Sequence, residues 1–102
     1  MKYKVLFPTR SIATKFAKTL SKIPQVQLQK KITKTVESLA TNPRPFGKSP
    51  FKKLKPPVQF YEMTAQYRIR IGDYRVLYDV DDKKKIVWIL ALRKRSEKTY
   101  RQ

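Results

Sequence analysis

Along this 102-residue chain the spacing of apolar residues changes from alternating to helical and back to alternating, and each change marks an element. Tyr3 to Phe7 reads as a short strand that Pro8 stops. Ile12, Ala13, Phe16, Ala17 and Leu20 recur at helical spacing, with Lys15, Lys18 and Lys22 on other faces. Thr9 or Ser11 is placed to cap that helix, and Pro24 ends it or opens the next. A second helix is predicted from about Gln25 to Ala40, with Leu28, Ile32, Val36 and Leu39 as its apolar stripe and Asn42-Pro43 as its stop. Almost no linker separates the two, so they form a helical hairpin whose apolar face needs a sheet to cover.

Residues 41–57 break the periodicity, holding five of the seven prolines together with Lys48, Lys52, Lys53 and Lys55. This stretch reads as a stiff basic surface loop, its lysines available to phosphates. Phe60 to Met63 suggests a short strand. The run from Tyr67 to Tyr78 then alternates apolar and basic residues around Gly72-Asp73, the pattern of two antiparallel strands joined by a two-residue turn. In that register residue 71 faces 74, 70 faces 75 and 69 faces 76. Tyr67, Ile69, Ile71, Tyr74, Val76 and Tyr78 share one side as an apolar floor. Arg68, Arg70 and Arg75 share the other, with Arg70 directly opposite Arg75. Like charges directly across a strand pair destabilise it, so folding alone gives no reason for the placement. A planar guanidinium suits phosphodiester oxygens, and the arginine face is the leading site candidate.

After a turn at Asp81-Asp82-Lys83-Lys84, residues Ile86 to Leu92 are continuously apolar, as in a central strand buried on both faces. Trp88 within it reads as core in preference to a base-stacking platform. The predicted fold class is α+β, a single domain over residues 1–102. An N-terminal strand and a helical hairpin precede antiparallel strands, and the helices pack on one face of a mainly antiparallel sheet. The other face is expected to be open and basic.

Charge narrows the functional classes. The net charge is +18 and the pI about 10.4, and Glu37 is the only acidic residue before Glu62. Such a field favours nucleic acid, an anionic membrane or an acidic protein partner. The chain has no cysteine and no histidine, which removes a thiolate site, the usual neutral-pH base and the usual metal ligand. The opening Met1-Lys2-Tyr3-Lys4-Val5-Leu6-Phe7-Pro8 has too short an apolar run for a signal peptide, and no segment could span a bilayer. The expectation is a cytoplasmic, nucleic-acid-facing domain that requires no membrane and no cofactor.

The hairpin Tyr67 to Tyr78, the apolar strand Ile86 to Leu92 and the basic tail Arg93-Lys94-Arg95-Ser96-Glu97-Lys98-Thr99-Tyr100 together resemble the RelE/ParE superfamily of bacterial toxins. Length, element order and Lys53-Leu54-Lys55 also fit, so the likeness covers nearly the whole chain. The resemblance implies a toxin held inactive by an acidic, RelB-like antitoxin. The RelE branch cuts messenger RNA in the ribosomal A site; the ParE branch poisons DNA gyrase. RelE-type sites match Arg68, Arg70, Arg75, Arg93 and Tyr100 here, and the basic tail ending in tyrosine favours that branch. Arg68 and Arg70 stand where some relatives carry lysine, which can lose its proton as arginine effectively cannot. Tyr100 also sits one residue further from Arg93 than in some relatives.

On an RNA substrate the 2′-hydroxyl can itself attack the adjacent phosphorus, without a metal. Arg70, Arg75 and Arg93 suit the charge that develops on the non-bridging oxygens, and Arg68 could assist or orient the strand. Tyr100 is the best proton-transfer candidate, its phenol ordinarily titrating near about 10 and lowered by neighbouring cations. Lys94 and Lys98 are possible substitutes. Lys52, Lys53, Lys55, Lys94, Arg95 and Lys98 are the expected RNA and ribosome contacts. A ribosome-dependent endoribonuclease is the favoured reading; a gyrase inhibitor of the ParE kind or a basic nucleic-acid-binding module is the alternative.

Overall fold

The computed structural model describes residues 2–45, 47, 50–60 and 62–94. β1 (Lys4–Leu6) leads into α1 (Arg10–Ser21) and α2 (Val26–Ser38), followed by β2 (Phe51–Phe60), β3 (Met63–Ile71), β4 (Tyr74–Asp81) and β5 (Ile86–Lys94). The five strands form one sheet in the order β1-β5-β4-β3-β2, in which only the β1–β5 pair is parallel. This is the expected α+β arrangement of two helices on a mainly antiparallel sheet.

Local chemistry sets the element ends. Thr9 caps α1, its side-chain oxygen accepting from the Ile12 amide at 3.1 Å. Gln25 precedes α2 without a side-chain cap, but the Gln29 side chain reaches back to donate to the Ile23 carbonyl at 2.7 Å. The hairpin adopts the predicted register, Ile71 opposite Tyr74, Arg70 opposite Arg75 and Ile69 opposite Val76. Gly72 takes φ +59 while Asp73 stays at negative φ, the φ pattern of a type II′ turn.

The helices cover the predicted apolar floor. Phe16, Ile23, Ile32 and Leu39 bury against Tyr67, Ile69, Ile71, Val76, Tyr78, Val87 and Ile89, with Tyr74 half-buried at the margin. Ala17, placed on the α1 stripe by its spacing, is exposed.

Three expectations need correction. Phe60 to Met63 is not a strand of its own, since Phe60 ends β2 and Met63 begins β3. The Pro-rich stretch is not a loop throughout, because β2 begins at Phe51 and runs to Phe60. It is an outer strand, where proline costs no ladder bond on the solvent side. Its pairing breaks between Lys53 and Val58, the segment that holds Pro56 and Pro57. The second face of the sheet is also not open along its length. Leu54, Leu77, Leu90 and Ala91 form a second small core there, joined by Ala65 and by Ile12 of α1. The register passes from Leu77–Ala91 to Tyr78–Ile89, so Leu90 is an extra residue in β5 and adds to that core. The end of this face near the hairpin turn is cationic, carrying Arg70, Arg75 and Arg93.

Candidate nucleic-acid interface

Strand register brings three arginines into one row. Arg70 on β3 pairs with Arg75 on β4, and Arg75 pairs in turn with Arg93 on β5. Neighbouring strands lie about 4.8 Å apart, so the row spans about 10 Å across the sheet. All three are half-buried. The sequence showed the first pairing; the second depends on how β5 docks, and it sets Arg93, which the resemblance had implied as a site residue, in the same row.

The two ends of the row meet different settings. Arg93 lies over the Phe60 ring at 5.2 Å from its centroid, a cation–π contact that orients it. It also forms part of a cleft of about 710 Å³ between α1, the end of β5 and the end of β2. At the other end of the row, Arg70 borders a second cleft of about 530 Å³ with Lys31, Thr35, Asn42 and Pro50. The Arg70 backbone amide donates to the Pro50 carbonyl at 3.0 Å.

Arg68 shares the face but not the row. It stands opposite Leu77, and its Nη1 donates to the Pro50 carbonyl oxygen at 2.9 Å. That bond ties β3 to the start of β2, a structural employment that spacing alone could not show. Lys52 pairs with Arg68 and extends the cationic face, whereas Lys53 pairs with Tyr67 and so occupies the opposite side. Lys55 is exposed in the interrupted part of β2. Lys94 pairs with Tyr74 and lines the larger cleft. Arg95, Lys98 and Tyr100 lie outside the described residues.

Sequence reasoning missed Phe60 and the lysines along and at the end of α1. Lys15, Lys18 and Lys22 all line the cleft beside Arg93. Their spacing of three and four residues put them on one helical face, but nothing in the sequence indicated where that face points. Asp79, on the same sheet face as Arg75, stands opposite Trp88. Burial pushes its carboxyl above the usual range, against hydrogen bonds from the Val80 amide and the Gln66 side chain. Among the described residues, no group of three or more His, Cys, Asp or Glu side chains could hold a metal.

Residues 11–99 match the model of the ParE toxin of type II toxin-antitoxin systems, parDE. The chain belongs to the ParE toxin family. It is a type II toxin-antitoxin toxin of the RelE/ParE superfamily, the kinship its hairpin and basic tail suggested. Among solved structures, it is similar to the archaeal RelE of the RelE–RelB complex from Pyrococcus horikoshii OT3. The two share 29% identity over 95% of this chain and 99% of that one, with a TM-score of 0.70. The RelBE2 toxin–antitoxin complex of Mycobacterium tuberculosis matches with 26% identity over 93% of this chain and 100% of that one, at a TM-score of 0.51. A double arginine-to-alanine mutant of E. coli toxin RelE in the free state shares the fold, at 17% identity over 98% of this chain and 90% of that one, TM-score 0.53. No curated protein matches the chain in sequence.

Proposed function

We propose that this ParE-family toxin is a ribosome-dependent endoribonuclease of the RelE kind, cutting messenger RNA in the A site to stop translation. The observation that carries this reading is the row Arg70–Arg75–Arg93. Three permanent cations on one sheet face match the charge of a phosphodiester whose non-bridging oxygens gain electron density during attack. In the proposed reaction the 2′-oxygen bonds to phosphorus as the bond to the 5′-oxygen breaks. The products are a cyclic phosphate and a 5′-hydroxyl; one proton leaves the 2′-hydroxyl and one reaches the 5′-oxygen. Tyr100 is assigned the proton transfer, with Lys94 and Lys98 as alternates. Arg68 holds the sheet edge and the RNA strand near it.

The cognate partner is an acidic, RelB-like antitoxin, consistent with the RelB-bound state of the archaeal neighbour and with a surface of net charge +18. Ribosome and messenger RNA are the proposed targets, in the cytoplasm. A second reading, inhibition of gyrase, draws on the ParE description of the matched family.

The deciding experiment uses a 5′-labelled message in a ribosome complex with an empty A site. Wild type is expected to give a discrete cut in the A-site codon, and Arg75→Ala to lose it by 10²-fold or more, as for loss of a charge-stabilising donor. Ribosome binding, spread over many lysines, should persist in the mutant. Absence of any cut with folded protein and active ribosomes would leave gyrase inhibition as the better reading.

A further inference from the structure

The larger cleft lies outside the roles assigned above to every residue but Arg93 and Lys94. Among the described residues five cations line it (Lys15, Lys18, Lys22, Arg93 and Lys94) and no acidic residue does. Its floor is apolar, built from Ile12, Leu90 and Ala91. At its mouth Phe60 and Arg93 form the cation–π pair, with the exposed Gln59 beside them. A cationic rim over an apolar floor with an aromatic–guanidinium pair suits an unpaired nucleotide. Bases stack on aromatic rings and on guanidinium planes, while lysines neutralise the flanking phosphates. Continuity decides between this ligand and an acidic peptide, since Arg93 belongs both to the arginine row and to the cleft wall. A strand following the row from Arg70 through Arg75 arrives at the cleft.

We infer that the α1–β5 cleft seats one unpaired nucleotide of the RNA strand, its base on the Phe60–Arg93 pair and its neighbouring phosphates on Lys15, Lys18 and Lys22. This subsite rests on the RNA reading of the arginine row. It makes Phe60 a residue that positions substrate, and it gives the lysine face of α1 a ligand.

The test is binding of a fluorescent 2′-O-methyl RNA hexamer, which lacks the attacking hydroxyl and so cannot be cut. Phe60→Leu should weaken binding about tenfold, and Phe60→Tyr should restore it. A hexamer of abasic units should bind wild type and Phe60→Leu alike. Replacing Lys15, Lys18 and Lys22 with Gln should flatten the dependence of log affinity on log salt by about 2, at roughly 0.7 per phosphate contact. Equal binding of the RNA hexamer by wild type and Phe60→Leu would overturn the subsite. So would displacement of wild-type-bound RNA by polyglutamate with no sensitivity to the base, which would make the cleft a peptide site. Because the assay needs neither ribosome nor cleavage, it separates from the nuclease reading. The binding pattern without any A-site cut refutes the nuclease and keeps the subsite. A cut with binding unchanged in Phe60→Leu does the reverse.

Discussion

Arg68 and Arg70 sit two residues apart on one face of β3, yet only Arg70 lies in the cationic row. The Arg68 guanidinium is committed to the Pro50 carbonyl, so its removal should act on stability. Arg68→Ala is expected to cost about 1 kcal/mol, the usual net worth of such a bond, read as a lower urea midpoint. Arg70→Ala leaves the backbone bond to Pro50 in place and relieves the charge opposite Arg75, so it should show no such loss. Equal destabilisation by both would contradict this division. The pattern showed Arg70 opposite Arg75 but not the Arg68 bond to Pro50, because it sorts residues onto faces and does not say what each side chain reaches.

The hairpin was legible down to its register because alternation and a Gly-Asp pair specify it locally. One feature of its tip is not local. A Cβ on Gly72 would stand 3.1 Å from Leu28 Cδ1 of α2, at a backbone φ of +59. Gly72→Ala should therefore destabilise the protein by about 1–2 kcal/mol, through strain at positive φ and crowding of the helix. Asp73→Ala, at negative φ, should come close to neutral in the same thermal melt. Strand β2 shows the opposite case. Its prolines read as a loop signal, and they are tolerated because the strand lies at the sheet edge, a placement that only the assembled sheet determines. Trp88 is half-buried against the second core, in keeping with its reading as a core residue.

At the scale of the whole molecule, distant segments are pinned by a polar clamp. Arg44 donates to Asp82 through Nη1 and Nη2, at 3.1 and 2.8 Å, and through Nε to the Tyr67 hydroxyl at 2.8 Å. Tyr3 donates to Asp82 at 2.6 Å. The buried Tyr78 hydroxyl donates to the Pro43 carbonyl at 2.7 Å, and burial holds its proton well above the ordinary phenol range. The segment after α2 is thereby fastened to β1 and to the β4–β5 turn, closing the sheet end away from the arginine row. The hydrogen bonds from Arg44 and Tyr3 lower the Asp82 carboxyl to about 2, below an unfolded value of about 3.9. Its contribution to stability is therefore present above about pH 4 and disappears as pH falls through about 2. Asp82→Asn is expected to flatten the fall in melting temperature between pH 4 and 2. An unchanged acid profile in that variant would show that the clamp carries no linkage.

By itself the sequence determined the first strand, the two helices, the hairpin with its register, the last strand and the face that carries Arg68, Arg70 and Arg75. These follow from backbone periodicity and turn chemistry, which act over a few residues. The tertiary structure alone decided that Arg93 extends the row, that Arg68 serves the sheet edge, and that Lys15, Lys18 and Lys22 line one cleft with Phe60. Those facts depend on which strand β5 pairs with and on how α1 seats against it. Such contacts join positions eighteen or more residues apart, and local spacing carries no information about them.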